Sequence, residues 1–190
     1  MNKNTINIAL SASRQYLQYV PVVIYSLCKS NRNYKINCHI FHSIGEDIKK
    51  VRKRYNKLFK YVENVNLNFH YVDSNIYEDL PVNKGWSLEL WARWKVLDIL
   101  PSKIDRILIL GVDTMIKNDI SKFYFQDLKG YYFAACPDTF ISNSDTENWI
   151  GYEYLRKYDI LKNNYINADV VLVNLEETSN KVDFKNFILE

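Results

Sequence analysis

The sequence predicts an α/β domain on a mostly parallel sheet, and three observations carry that expectation. Short apolar runs and helical patterns follow one another as β-α-β-α-β over residues 6–73, the order of crossover units. Ile107-Leu108-Ile109-Leu110 is an unbroken aliphatic run closed by Gly111, the pattern of a strand buried on both faces. Val170-Val171-Leu172-Val173 is a second run of the same kind. With 190 residues and 47% hydrophobic content, one sizeable core is affordable and residues 1–190 read as a single domain.

The elements follow in order. Ile6-Asn7-Ile8-Ala9-Leu10 is a first strand ending in Ser11-Ala12-Ser13. Residues 19–30 are a helix, with Pro21 tolerated in its first turn and Val20, Val23, Ile24 and Leu27 on one face. Residues 36–41 are a second strand. Ile48, Val51, Tyr55, Leu58 and Phe59 then give the apolar stripe of a helix whose other face is strongly basic, residues 49–57. That face is read as solvated; contact with an anionic membrane surface is the second reading. Leu67-Asn68-Phe69-His70-Tyr71-Val72 is a third strand. A loop over 74–85 leads to a helix over 87–100, with Ser87 as N-cap and Pro101 beyond its end. The buried run at 107–110 follows. Residues 131–135 form a strand ending at Cys136-Pro137-Asp138, 142–148 a loop, 149–158 a helix, and 182–189 a final helix.

Several function classes lose support. The formal net charge of +3 is too small to indicate nucleic acid. No apolar run approaches the ~20 residues of a membrane span, and no secretory apolar segment opens the chain. Three scattered cysteines, Cys28, Cys38 and Cys136, lack metal-ligand spacing and suggest reduced thiols in the cytoplasm. Glycine-rich dinucleotide and P-loop motifs are absent. His39, His42 and His70 fall in or beside strands and read as sheet residues, since no motif gives them a base partner.

What remains is a set of polar residues at strand ends: Asp113, Asp138 and Asn167, with Arg93 on a neighbouring helix. Singly they read as turn residues or as the partner of a carboxylate. Together they would line the sheet edge where open α/β folds bind ligands. A carboxylate there could hold a hard cation carrying a phosphorylated substrate.

Five segments in order resemble glycosyltransferase family 8, the retaining nucleotide-sugar enzymes of GT-A fold. Residues 8–16, ending Ser11-Ala12-Ser13-Arg14-Gln15-Tyr16, resemble its first strand and uridine loop. Leu90-Trp91-Ala92-Arg93-Trp94-Lys95 resembles the helix with its donor-binding arginine, and Leu110-Gly111-Val112-Asp113-Thr114 its Asp-x-Asp motif. Ala135-Cys136-Pro137-Asp138 resembles the sugar-binding strand end, and Tyr165-Ile166-Asn167-Ala168 the Asn-Ala element. The resemblance implies a Rossmann-like, mixed but mostly parallel sheet flanked by helices. It implies a UDP-glucose or UDP-galactose donor, a glycan acceptor such as lipopolysaccharide core, and Mn2+ or Mg2+. It assigns Asp113 to the metal, and Tyr16, Arg93, Val112, Asp113, Asn167 and Ala168 to donor and cofactor. Arg93, Asp138 and Asn167 would be the catalytic set, with no enzyme nucleophile. The lack of a signal sequence leads to the expectation of a cytoplasmic setting, with peripheral contact at the inner membrane face as an extension.

The departures are specific. Gly111 stands where the first aspartate of Asp-x-Asp is expected, Ser13 where an aspartate contacts uridine, and Asp169 where a glycine follows Asn-Ala. The family's Asp-Gln-Asp segment and its His-x-x-Gly-x-x-Lys-Pro-Trp motif, which carries a histidine metal ligand, would lie past Glu190. The alternative reading is therefore a GT-A remnant that binds nucleotide weakly or acts as a partner subunit. Asp169 is expected to restore a carboxylate from the facing strand or to serve as a turn residue.

Overall fold

A computed structural model describes residues 4–73, 92–100, 102–139 and 165–178. Six strands form one sheet in the order β3-β2-β1-β4-β6-β5. They are β1 (Thr5–Ser11), β2 (Lys35–His42), β3 (Val65–Tyr71), β4 (Arg106–Leu110), β5 (Phe133–Pro137) and β6 (Ile166–Asn174). β3-β2, β2-β1 and β1-β4 pair in parallel, while β6 runs antiparallel to both β4 and β5. The mixed, mostly parallel sheet expected from the sequence is the observed one. Among the described residues, no helix is long and apolar enough to cross a membrane.

Helix α1 (Val20–Ser30) and helix α2 (Ile48–Leu58) cover one face of the sheet. Val20, Val23, Ile24 and Leu27 of α1 and Tyr55 of α2 bury there against Ile6, Ile8, Leu10, Cys38 and Ile40. The Tyr55 hydroxyl donates to the Leu17 carbonyl, tying α2 to the chain before α1. On the other face Ala9, Phe41, Ile107, Ile109, Val171 and Val173 pack with Ala92, Trp94 and Leu100. The chain thus winds over one face through β1, β2 and β3, and over the opposite face on its way into β4. β1 and β4 are neighbours, and the strands that follow them lie on opposite sides, β2 next to β1 and β5 and β6 beyond β4, which makes their carboxyl ends a topological switch point.

Three sequence expectations need correction. Leu58 is 54% exposed although the apolar stripe of α2 included it; it lies at the stripe's edge, and Phe59 makes the buried contact instead. β5 starts at Phe133, not at Tyr131. A turn closed by the Tyr131 N–H on the Leu128 carbonyl precedes it, and Gly130 sits there at φ 80°, a conformation that favours glycine. The helix expected over 87–100 is, in its described part, a 3-10 turn (Arg93–Lys95) followed by α3 (Val96–Ile99). Two four-residue helices escaped the sequence reading, α4 (Ser121–Tyr124) and α5 (Leu175–Thr178). Expectations for 74–91, 142–158 and 182–189 lie outside the described residues.

Polar groups seal the amino-terminal end of the sheet. Asn7, Asn37 and Asn66 lie in register on three strands. Asn66 Nδ2 donates to Asn37 Oδ1 at 2.9 Å, and Asn37 Nδ2 to Asn7 Oδ1 at 3.1 Å. The Tyr124 hydroxyl enters where β1 and β4 have not yet paired. It accepts from the Asn7 N–H at 3.0 Å and donates to the Arg106 carbonyl at 3.1 Å.

Candidate functional site

The strand directions place the carboxyl ends of β1, β4 and β5 and the amino end of β6 on one edge. Every site residue proposed from the sequence is on that edge or on the 3-10 turn beside it. From β1 come Ser13 and the exposed Tyr16; from β4, Gly111, Val112 and Asp113. Asp138 follows β5, and Asn167, Ala168 and Asp169 lie in the first half of β6. Asn167 is therefore a strand residue, and its reading as a turn residue ahead of a strand is corrected.

The segment carrying Asp113 is fixed by local chemistry. The Thr114 N–H reaches the Gly111 carbonyl at 3.3 Å and its hydroxyl donates to the same oxygen at 2.8 Å. This closes a turn with Val112 and Asp113 at its centre, an arrangement favoured by short hydroxyl side chains. Downstream, the Ile116 N–H donates to Ser26 Oγ at 3.1 Å, and Ser30 Oγ donates to the Ile116 carbonyl at 3.1 Å. Asn31 Oδ1 accepts from the Ile120 N–H at 3.0 Å. Ser26 and Ser30 are one helical turn apart on α1 and clamp the loop by its backbone. Nothing in the sequence reading pointed to that clamp; the four-residue serine spacing was its only trace. Asp113 itself is exposed.

Arg93 is the buried member of the set, its side chain 9% exposed. Its Nη1 donates to the Ala168 carbonyl at 2.7 Å and meets Asp169 Oδ1 at 3.1 Å. Among the described residues, Arg93 Nε is buried with no hydrogen-bond partner, and so is Ser13 Oγ at the end of β1. Buried polar atoms without partners are uncommon in native folds and call for an explanation. Asn167 Oδ1 accepts from the Asp169 N–H at 2.8 Å, which fixes the amide so that Nδ2 is the donor left over. The Asp138 N–H donates to the Tyr165 carbonyl at 2.9 Å, and a register irregularity between Ala135 and Pro137 precedes it. Such bulges bend a strand and re-aim the residues beside them. Burial first, and then the Asp138 carboxylate, push the Tyr165 phenol up from its usual pKa.

Gly111 and Asp169 pack closely across the edge. The Gly111 N–H donates to the Asp169 carbonyl at 2.9 Å, continuing the β4–β6 ladder. A Cβ on Gly111 would lie 2.8 Å from Asp169 Cγ and 2.9 Å from its Cβ and Oδ1. Among the described residues no group of three or more His, Cys, Asp or Glu side chains comes together as a metal site. The three histidines lie in β2 and β3: His42 closes β2 beside the end of β1, while His39 Nδ1 lies 2.9 Å from His70 Nε2.

Comparison with known proteins gives a consistent picture. Residues 7–189 match the family described as "Glycosyl transferase family 8". A putative glycosyltransferase of Haemophilus influenzae is 26% identical over 97% of this chain and 53% of its own length. A lipopolysaccharide 1,2-glucosyltransferase of Escherichia coli (strain K12) is 25% identical over 70% of this chain and 38% of its own. The chain thus spans about half the length, or less, of these curated relatives. In fold it is similar to the galactosyltransferase LgtC solved with donor and acceptor sugar analogues. The TM-score is 0.78 at 22% identity, over 95% of this chain and 62% of that one. It is also similar to the bifunctional glycosyltransferase WbbM, with a TM-score of 0.72 at 16% identity over 94% of this chain and 33% of that one.

Proposed function

The chain belongs to glycosyltransferase family 8, and on that premise we propose that it binds a UDP-hexose at this edge. The hexose, glucose or galactose, is transferred with retention to a glycan of the lipopolysaccharide-core type. The observation that carries the reading is the pair of orphaned buried polar atoms, Arg93 Nε and Ser13 Oγ, on one rim at a topological switch point. A donor seated there would supply partners that no described residue supplies. The acceptor class rests on the lipopolysaccharide glucosyltransferase relative, and the cytoplasmic setting on the three free cysteines.

In this reading the Arg93 guanidinium, already locked by Ala168 and Asp169, faces the diphosphate and sugar. Asn167 Nδ2 and the Asp138 carboxylate bind sugar hydroxyls, and Tyr16 and Val112 border the nucleoside. As the bond from the anomeric carbon to the diphosphate breaks, negative charge grows on the leaving group. A bound Mn2+ or Mg2+ supplies Lewis-acid stabilisation of that charge. Asp113 would hold the ion, with donor phosphates and water among its other oxygens.

The test is thermal melting of the full chain with UDP-glucose, UDP-galactose, ADP-glucose or GDP-mannose, with and without Mn2+. Ligand at 100 times its Kd stabilises by about 2.7 kcal/mol, or roughly 5–10 °C for a domain of this size. A shift confined to UDP-hexoses is expected. No shift with UDP-hexoses, or an equal shift with the ADP- and GDP-sugars, overturns the reading.

A further inference from the structure

We propose, building on the donor reading above, that Asp169 does the work of a carboxylate at position 111. Across the β4–β6 pair it holds Arg93 with one oxygen and supplies the other, beside Asp113, as a second ligand for the divalent cation. The argument begins with space. Positions 111 and 169 face each other in the antiparallel ladder, as the bond from the Gly111 N–H to the Asp169 carbonyl shows. A side chain on Gly111 would start 2.8–2.9 Å from three atoms of the Asp169 side chain. Only one of the two positions can therefore carry a carboxylate, and in this chain it is 169. The glycine is the complement of that aspartate, not a vacancy in the site.

The next step is chemical. Asp169 Oδ1 is taken by Arg93 Nη1 at 3.1 Å. Its backbone N–H is taken by Asn167 Oδ1 at 2.8 Å. Oδ2 accepts no hydrogen bond among the described residues, and the side chain is 46% exposed. A carboxylate fixed by a hydrogen bond on one oxygen and open on the other is the usual form of a metal-ligating carboxylate, since outer partners orient the ligand. Its negative charge would also offset the Arg93 charge beside a bound cation, where two unscreened positive charges would repel. Asp113, two residues on from Gly111, is exposed on a turn clamped to α1. A single carboxylate is a weak site for a hard cation; two from facing strands make a much better one.

The test is Mn2+ binding by the full chain without nucleotide, read from the free-ion paramagnetic resonance signal. The variants are Asp169→Asn, Asp113→Asn, Gly111→Asp and the exchange Gly111→Asp with Asp169→Gly. Asp169→Asn keeps the volume and the fold but should weaken Mn2+ binding at least tenfold, about as much as Asp113→Asn. Gly111→Asp alone should melt several degrees lower, because two side chains compete for one space. The exchange variant should regain most of that melting temperature and bind Mn2+ within threefold of the parent. Unchanged Mn2+ affinity in Asp169→Asn, no Mn2+ binding by the parent, or an exchange variant no better than Gly111→Asp overturns the proposal. UDP titration in the presence of chelator, run on the parent, reads the nucleotide site separately. UDP binding with an unchanged Asp169→Asn result would remove only this inference.

Discussion

Acidification should destabilise this domain well before its carboxylates titrate, through His39. The residue is 6% exposed in β2, its ring stacked on that of His70 with centroids 5.2 Å apart. His39 Nδ1 lies 2.9 Å from His70 Nε2, so one proton serves both nitrogens. A second would set N–H against N–H. Burial first, and then the neighbouring His70, lower its pKa from 6.5 to about 4. Above pH 6.5 the ring is neutral in both folded and unfolded chains, and the shift has no effect on stability. Below that pH the unfolded chain takes up a proton that the folded chain refuses, so stability falls with pH and levels off only below about 4. At 1.36 kcal/mol per unit, the loss is about 2 kcal/mol by pH 5 and about 3 kcal/mol by pH 4. Burial also lowers the pKa of His42 and His70, which adds to the loss in the same direction. Urea melts followed by far-UV circular dichroism between pH 7.5 and 5 measure it directly. His39→Gln keeps a polar partner for His70 without titrating and should flatten the profile. An unfolding midpoint that holds constant from pH 7 to 5 would refute the reasoning, as would an equal slope in the variant.

Two further outcomes follow from contacts at opposite ends of the sheet. Arg93→Lys keeps the charge but loses the planar fork that reaches both the Ala168 carbonyl and Asp169; calorimetry should show UDP-hexose affinity at least tenfold weaker, and equal affinity would remove Arg93 from the donor site. Tyr124→Phe deletes a hydroxyl that serves Asn7 and Arg106. Leaving those buried groups unpaired should cost about 2–3 kcal/mol, seen as a Tm lower by roughly 4–12 °C, with UDP-hexose affinity unchanged; a Tm within a degree of the parent would show that the hydroxyl seals nothing.

Period and punctuation in the sequence carried much of this architecture. β4 and the core of β6 were legible because strands buried on both faces read as unbroken aliphatic runs, and all five positions of β4 are indeed buried. The parallel direction of the strands before β5 follows from crossover units, so a shared edge for Asp113, Asp138 and Asn167 could be expected from the sequence, while the order β3-β2-β1-β4 could not. Side-chain partners were not legible. The Asn7-Asn37-Asn66 row depends on register, which no local pattern of three asparagines reveals. The serine clamp on Ile116 and the Tyr124 hydroxyl join residues far apart in sequence. Propensity also misled at Tyr131 and Tyr132, which favour strands but stand exposed after the Gly130 turn.

The Gly111–Asp169 contact shows why a linear motif can miscount a site. Read along β4, the chain lacks one aspartate; read across β4 and β6, the carboxylate is present and only its backbone of origin has changed. Asp169 also has a reason to exist without any ligand. Arg93 is buried, and a buried guanidinium left with one carbonyl alone is costly, so an ion pair at 3.1 Å stabilises the fold by itself. The two roles separate in the variants. A purely structural Asp169 predicts that Asp169→Asn loses stability and leaves Mn2+ affinity as it was. A ligand role predicts the reverse weighting, because the amide keeps the hydrogen bond to Arg93 and gives up the negative charge that the cation needs.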